Sequence, residues 1–116
     1  MFTDKIYYAD QEIIEKINEQ FLLVDDEGWY LLYQNKFDNT FWRLDKYDRL
    51  QVQFFVQLES KDNWTMFNDQ ELRIQLLLKT RGVSKNICSW QGCKKRALQN
   101  LAFCESHAYL EMGIRK

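Results

Sequence analysis

The sequence predicts an α+β fold followed by a short cysteine-rich module. Apolar residues recur at helical spacing early in the chain, and apolar and polar residues alternate across its middle. All three cysteines and the single histidine fall within residues 88–107. A chain of 116 residues has the size of one compact domain with a small appendage. We therefore expect a body over residues 1–79, a linker over 80–86 and a C-terminal module over 87–116.

The first predicted element is an N-terminal helix that ends near Gln20. Ile13, Ile17 and Phe21 recur on one helical face, and charged residues occupy the other side. Asp10 can begin the helix, because its carboxylate can accept hydrogen bonds from the free amides of the first turn.

An antiparallel β-meander of three to four strands is predicted next. Short turns rich in Asn, Asp and Gly separate apolar and aromatic runs, and such turns favour tight reversals between neighbouring strands. Residues 50–58 alternate apolar side chains with Gln except at Phe55, which is out of phase, and this is the period of a half-buried strand. Trp29 and Trp42 lie in the apolar runs and are predicted to be core residues.

A second helix is predicted to follow the meander. Asn68 with Glu71 three residues later resembles a capping box, and the apolar residues that continue to Lys79 form a broad face. Gly82 is the expected end of the helix, because glycine readily adopts the left-handed conformation found after helix termini.

Four potential metal ligands follow the predicted linker: Cys88, Cys93, Cys104 and His107. Their Cys-x4-Cys-x10-Cys-x2-His spacing resembles two ligand pairs, and local pairs let one turn supply two corners of a zinc tetrahedron. Gly92 precedes the second cysteine, where a metal-binding turn needs a residue that tolerates positive φ. Four protein ligands close the coordination sphere. The pattern therefore predicts one structural Zn²⁺ and disfavours a zinc hydrolase.

Other features restrict the class of protein. We expect no enzymatic activity, because the sequence has no glycine-rich phosphate loop, no nucleophile elbow and no second histidine for a triad. Reduced thiols as metal ligands fit the cytosol. Acidic residues interrupt the first twenty positions, and no apolar run approaches the ~18–20 residues that cross a bilayer. The expected location is cytoplasmic, without a membrane partner.

Charge is divided unevenly along the chain. Residues 1–79 carry nine Lys and Arg against fifteen Asp and Glu, whereas residues 80–116 carry seven against two. This asymmetry fits two surfaces with different partners, and it equally fits a role in solubility and in holding the tail to the body.

Residues 23–58 contain an acidic turn before Gly-Trp, a Leu-Tyr strand and an aromatic-Trp-x-Leu strand. The residues in this pattern are Asp26, Gly28, Trp29, Leu32, Tyr33, Phe41, Trp42 and Leu44. The pattern resembles the bacterial polymorphic-toxin immunity family numbered twenty-seven, over roughly residues 12–79. The resemblance implies a small cytoplasmic inhibitor that neutralises a cognate toxin, often a nuclease, by covering its active site.

The acidic body offers a separate physical reason to expect such a partner. A nuclease presents a basic cleft for phosphates, and an acidic surface would dock there with fast, salt-sensitive association. Tyr30 or Tyr47 can supply an aromatic anchor. The alternative for each loop carboxylate is an ordinary solvated turn residue. The candidate carboxylates are Asp25, Asp26, Glu27, Asp38, Asp45 and Asp48.

A nucleic-acid-binding module is the alternative function. Lys94, Lys95 and Arg96 directly follow a predicted ligand, and basic residues on a zinc scaffold commonly hold phosphates. Trp90 can either stack on a base or pack over the metal site.

Overall fold

The computed structural model describes residues 2–116, which divide into two compact units. The first unit ends at Asp69, and the second is Gln70–Lys116. The predicted α+β class is confirmed, because α-helices occur with antiparallel sheets of five and two strands. Across the described residues, every helix is too short or too polar to cross a membrane.

The first unit is built on a five-stranded antiparallel sheet in the order β1-β5-β4-β3-β2. Its strands are β1 (Ile6–Tyr8), β2 (Phe21–Glu27), β3 (Tyr30–Asn35), β4 (Phe41–Asp45) and β5 (Phe54–Gln57). Strands β2 to β5 form an antiparallel meander as predicted, but the sheet has a fifth strand, because β1 precedes the first helix and pairs with β5, with Ile6 opposite Val56. A strand of three residues is too short to show a period in the sequence.

Strand β5 is shorter than the strand predicted over residues 50–58. Residues 50–53 belong instead to the loop after β4, where Asp48 accepts a hydrogen bond from the Leu50 amide at 2.8 Å. Gln53 donates its side-chain amide to the Asp45 carbonyl at 2.7 Å. The alternation in this segment therefore does not reflect strand pairing.

One face of the sheet packs against the predicted N-terminal helix, α1 (Gln11–Gln20). Asp10 begins this helix as predicted, since its carboxylate accepts a hydrogen bond from the Ile13 amide at 2.9 Å. Trp42 is 2% exposed and stacks on Phe55 at 4.9 Å between ring centroids, which confirms it as a core residue. The buried cluster is Ile17, Phe21, Trp42, Leu44 and Phe55.

The opposite face of the sheet holds a buried cation, Arg43, because successive residues of a strand point to opposite faces. Its guanidinium forms a 3.0 Å ion pair with Asp69 and donates to the carbonyls of Trp64 at 3.1 Å and Phe67 at 3.0 Å. The Tyr30 ring lies 4.2 Å from the guanidinium carbon. Arg43 thus fastens the segment that follows the sheet, including a short 3₁₀ helix, to this face.

The second unit contains α2 (Gln70–Arg81), β6 (Val83–Ile87), β7 (Arg96–Leu98) and α3 (Glu105–Leu110). The predicted second helix is present and is followed by Gly82 at φ 72°. Residues 80–86, predicted as a linker, hold the end of α2 and most of β6. Buried side chains of α2 pack with side chains of the cysteine-rich module in one hydrophobic cluster. That cluster is Ile74, Leu77, Leu98, Ala108 and Tyr109.

Candidate functional site

The four predicted ligands converge in the second unit and can hold a metal ion. Their ligand atoms all lie within 4.8 Å of one another. The Cys93 and Cys104 sulfurs are 3.9 Å apart, and the His107 Nδ1 lies 3.3 Å from the Cys104 sulfur and 3.5 Å from the Cys88 sulfur. With metal–sulfur bonds of about 2.3 Å, two thiolates of a tetrahedral site lie about 3.8 Å apart. The arrangement therefore suits one tetrahedral ion.

Local structure explains how the chain places these ligands. Cys88 directly follows β6, and Cys93 ends a turn in which Gly92 has a φ of 81°, which confirms the predicted left-handed glycine. Cys104 is the residue before α3, and His107 lies in the first turn of that helix. One turn and one helix start each provide two corners of the site.

Trp90 packs on the metal site. Its indole stacks on the His107 imidazole, with ring centroids 4.8 Å apart and planes inclined by 14°. The indole therefore supports the orientation in which Nδ1 faces the thiols. Stacking on a base, the other role considered for Trp90, would have to compete with this contact.

The thiols differ in how readily they ionise. Burial raises the pKa of Cys88, but hydrogen bonds from the backbone of Cys104 and Trp90 and from the side chains of His107 and Cys93 outweigh it and bring the pKa to about 6. Burial raises the pKa of Cys104, and the neighbouring thiols raise it further. Because metal ligands bind as thiolates, occupation of the site releases protons.

The basic residues beside the site differ in whether they have a partner within the unit. Lys95 forms a 2.6 Å ion pair with buried Glu105, and this hydrogen bond raises the pKa of the lysine. Lys94 and Arg96 are exposed. One of the three predicted phosphate contacts is thus engaged within the unit.

Five of the six candidate carboxylates lie at one end of the five-stranded sheet. The turn between β2 and β3 meets the loop after β4 there, because the Lys46 amide donates to the Trp29 carbonyl at 2.9 Å. The Lys46 ammonium also pairs with Asp26 at 2.5 Å. Asp38 lies in the turn between β3 and β4, at the opposite end. The carboxylates brought together are Asp25, Asp26, Glu27, Asp45 and Asp48.

Two candidate carboxylates serve the fold. Asp38 accepts hydrogen bonds from the Thr40 hydroxyl at 2.6 Å and the Thr40 amide at 3.0 Å, and these bonds lower the pKa of its carboxyl. Asp45 accepts from the Phe54 amide at 3.1 Å and so joins neighbouring strands. Asp25, Glu27 and Asp48 remain exposed.

Sequence reasoning missed the exposure of Trp29 and Leu50 at this end. Trp29 is 77% exposed, so its prediction as a core residue is wrong. It occupies the hairpin turn directly after Gly28, which has a φ of 60°. The sequence contained the signal, because an acidic run ending in Gly marks a turn that can include the next residue.

Two other large side chains are exposed in the neighbouring loop. Tyr47 is 79% exposed and Leu50 is 84% exposed. Tyr30, the other predicted aromatic anchor, instead lies against Arg43. We call the exposed group the sheet-end surface; its members are Trp29, Tyr47, Leu50, Asp25, Glu27 and Asp48.

Comparison of the chain with protein-family models, with curated proteins and with solved structures finds no match. The resemblance of residues 12–79 to an immunity family therefore stays a prediction.

Proposed function

We propose that the chain is an immunity-type inhibitor that binds a basic protein toxin through the sheet-end surface. A structural Zn²⁺ holds its second unit together. The main support for the proposal is that three large apolar side chains are exposed beside carboxylates at one end of the sheet. Trp29, Tyr47 and Leu50 are each more than three-quarters exposed.

Exposed aromatic residues of this kind have the chemistry of binding hot spots. Trp and Tyr are enriched among the residues that dominate protein–protein affinity, and grouped apolar side chains on a monomer's surface mark interaction sites. Neither Trp29 nor Tyr47 contributes a buried side chain to the sheet that carries it. Their position at turns also lets a partner reach them without disturbing the strands.

The charges around these residues favour a basic partner. Five carboxylates share the sheet end with Lys46 and Arg49, so the region is acidic. Such a surface steers and orients a positively charged protein and disfavours nucleic acid. Nucleases carry basic clefts for phosphates, and a nuclease toxin is the partner class that the family resemblance implies.

The donor set identifies the metal we propose. Three thiols and an imidazole at tetrahedral spacing suit Zn²⁺, and four protein ligands leave no position for a reacting water. The ion therefore stabilises the fold and performs no chemistry. Such an ion suits a binding protein, and the sequence predicts no enzymatic activity.

Site-specific photocrosslinking tests the proposed surface. We would place the photoreactive residue p-benzoylphenylalanine at position 29 or 47 in cells that express the chain. We expect both positions to give an adduct with the same basic polypeptide, because both side chains would lie in the interface. Mass spectrometry of the adduct identifies the partner.

Position 37 is the matched control. Phe37 is 76% exposed and lies in the turn at the other end of the sheet, about 20 Å away along a six-residue strand. It should give no adduct with that polypeptide. Equal adducts at 29 and 37, or none at 29 and 47, would contradict the proposal.

A further inference from the structure

The outer strand of the sheet, β2, is an open edge. It pairs with β3 on one side, and the described residues provide no strand on the other. Leu22 and Leu23 are each 57% exposed and Val24 is 47% exposed. The opposite edge, β1, has three residues. Proteins usually shorten, charge or cover edge strands, because free amides and carbonyls pair readily with another chain. The first half of β2 lacks such protection.

The apolar residues of this edge lie beyond the buried cluster that α1 forms with the sheet. Phe21 is buried with α1, but the residues after it in the strand are exposed. Leu22 and Leu23 point to opposite faces, because side chains alternate along a strand. A strand added at this edge would therefore meet apolar surface on both of its faces.

The hydrogen-bond register shows which backbone groups face outward. The Lys36 amide donates to the Gln20 carbonyl at 2.9 Å, so Gln20 and Lys36 form a hydrogen-bonded pair. Further along the two strands, Leu22 lies opposite Gln34, and Leu23 lies opposite Tyr33. Bonded and non-bonded pairs alternate in an antiparallel ladder. Leu22 therefore belongs to a bonded pair, whereas the amide and carbonyl of Leu23 point away from β3. These are the groups that an added strand needs.

The second half of β2 is protected and acidic. A bulge interrupts the register between Leu23 and Asp25, and the Asp25 carboxylate accepts the Asp26 amide at 2.7 Å. Residues 25–27 are exposed carboxylates. The open edge thus ends in negative charge, next to the sheet-end surface.

We infer that an extended segment of the basic partner pairs with β2 around Leu23, as a sixth strand of the sheet. Backbone bonds to Leu23 would supply affinity, and alternating apolar side chains would cover Leu22 and Leu23. Lys or Arg residues of the segment would lie beside Asp25 and Glu27. This inference rests on the proposed function and adds a binding mode to it.

Charge disfavours a second copy of the chain in the same position. Two copies of β2 paired antiparallel about Leu23 would bring residues 25–27 of each copy towards Glu19 and Gln20 of the other. Glu19 lies in the last turn of α1, so the acidic residues of the strand would approach an acidic side chain at the helix end, and like charges that approach repel one another. A basic segment has no such repulsion, so the edge suits a partner of opposite charge.

A peptide titration followed by NMR of the full chain tests the inference. The probe is a capped nine-residue peptide of alternating Val and Lys, and its counterpart carries Glu in place of Lys. We expect the Val-Lys peptide to protect the Leu23 amide from exchange and to bind at least tenfold more tightly than the Glu counterpart. Higher salt should weaken its binding.

Variants at position 23 separate backbone pairing from other contacts. Leu23→Pro removes the outward amide and should weaken binding at least tenfold, whereas Leu23→Thr keeps the amide and suits a strand, so binding should change less than threefold. If Leu23→Pro does not fold, Leu23→Lys provides the test, because its cation should repel the peptide and weaken binding at least tenfold. Failure of the Val-Lys peptide to bind, or equal binding by the Glu peptide or the Pro variant, would overturn the inference.

The photocrosslinks distinguish this failure from failure of the proposed function. Adducts at 29 and 47 that persist undiminished in Leu23→Pro would overturn edge pairing and leave the sheet-end surface as the interface. Loss of those adducts in Leu23→Pro, with the fold intact, would support it.

Discussion

Cys104→Ser is expected to unfold the second unit and to leave the five-stranded sheet of the first unit folded. Cys104 is fully buried and directly precedes α3, so its loss would remove one ligand of the proposed metal at the start of the helix. The unit has a core of five buried residues, which is small for a chain of its length. Structural zinc contributes about 10–16 kcal/mol of apparent binding free energy in comparable small modules. We therefore expect metal binding to decide whether this unit folds.

Hydrogen exchange measured by mass spectrometry reports the two units separately. Cys104→Ser, or removal of the metal from the unaltered chain by a chelator, should abolish protection across α2, β7 and α3 while β3 and β4 keep theirs. Ser106→Ala is the matched control, because it lies in the same helix and keeps all four ligands. Loss of protection in the sheet as well would show that metal binding supplies folding energy to the whole chain.

Arg43→Met is expected to destabilise the first unit by about 3–5 kcal/mol, the usual effect of removing one partner of a buried ion pair. The substitution removes the 3.0 Å ion pair between Arg43 and the Asp69 carboxylate. It also strips the carbonyls of Trp64 and Phe67 of their charged donor. Methionine fills much of the same space, so the loss is mainly electrostatic.

Urea unfolding followed by near-ultraviolet circular dichroism measures this effect. Lys16→Met is the matched control, because it removes the cation of an exposed pair with Glu12 and should change stability by about 0–1 kcal/mol. Equal effects of the two substitutions would show that Arg43 does not hold residues 64–69 to the sheet.

The sequence allowed the four residues of the candidate metal site to be predicted because they lie within twenty positions of one another. Local spacing alone determines whether a turn and a helix start can supply paired ligands, and the structure brings all four together. The first helix was equally accessible, since Asp10 and the recurring isoleucines act within the segment itself. These features depend on neighbours in the chain.

Other features depend on distant partners and were not visible in the sequence. β1 is a strand because Ile6 finds Val56, fifty positions away, and no local pattern specifies that pairing. The alternation over residues 50–58 predicted a longer strand, but the neighbouring strand β4 ends at Asp45. Trp29 has a large apolar side chain of the kind usually found in a core, but its position in the turn leaves it exposed. Hydrophobicity alone does not specify burial.

The inhibitor role is tested most directly by titrating the chain into its crosslinked partner, purified separately, while nucleic-acid cleavage is followed. We predict that cleavage stops at one equivalent of chain. The double variant Trp29→Ala, Tyr47→Ala should need about a thousandfold higher concentration, because two hot-spot residues contribute at least about 2 kcal/mol each and every 1.4 kcal/mol is about tenfold in affinity. Phe37→Ala should inhibit like the unaltered chain. Full cleavage in the presence of excess chain, or equal inhibition by the double variant, would contradict the proposed function.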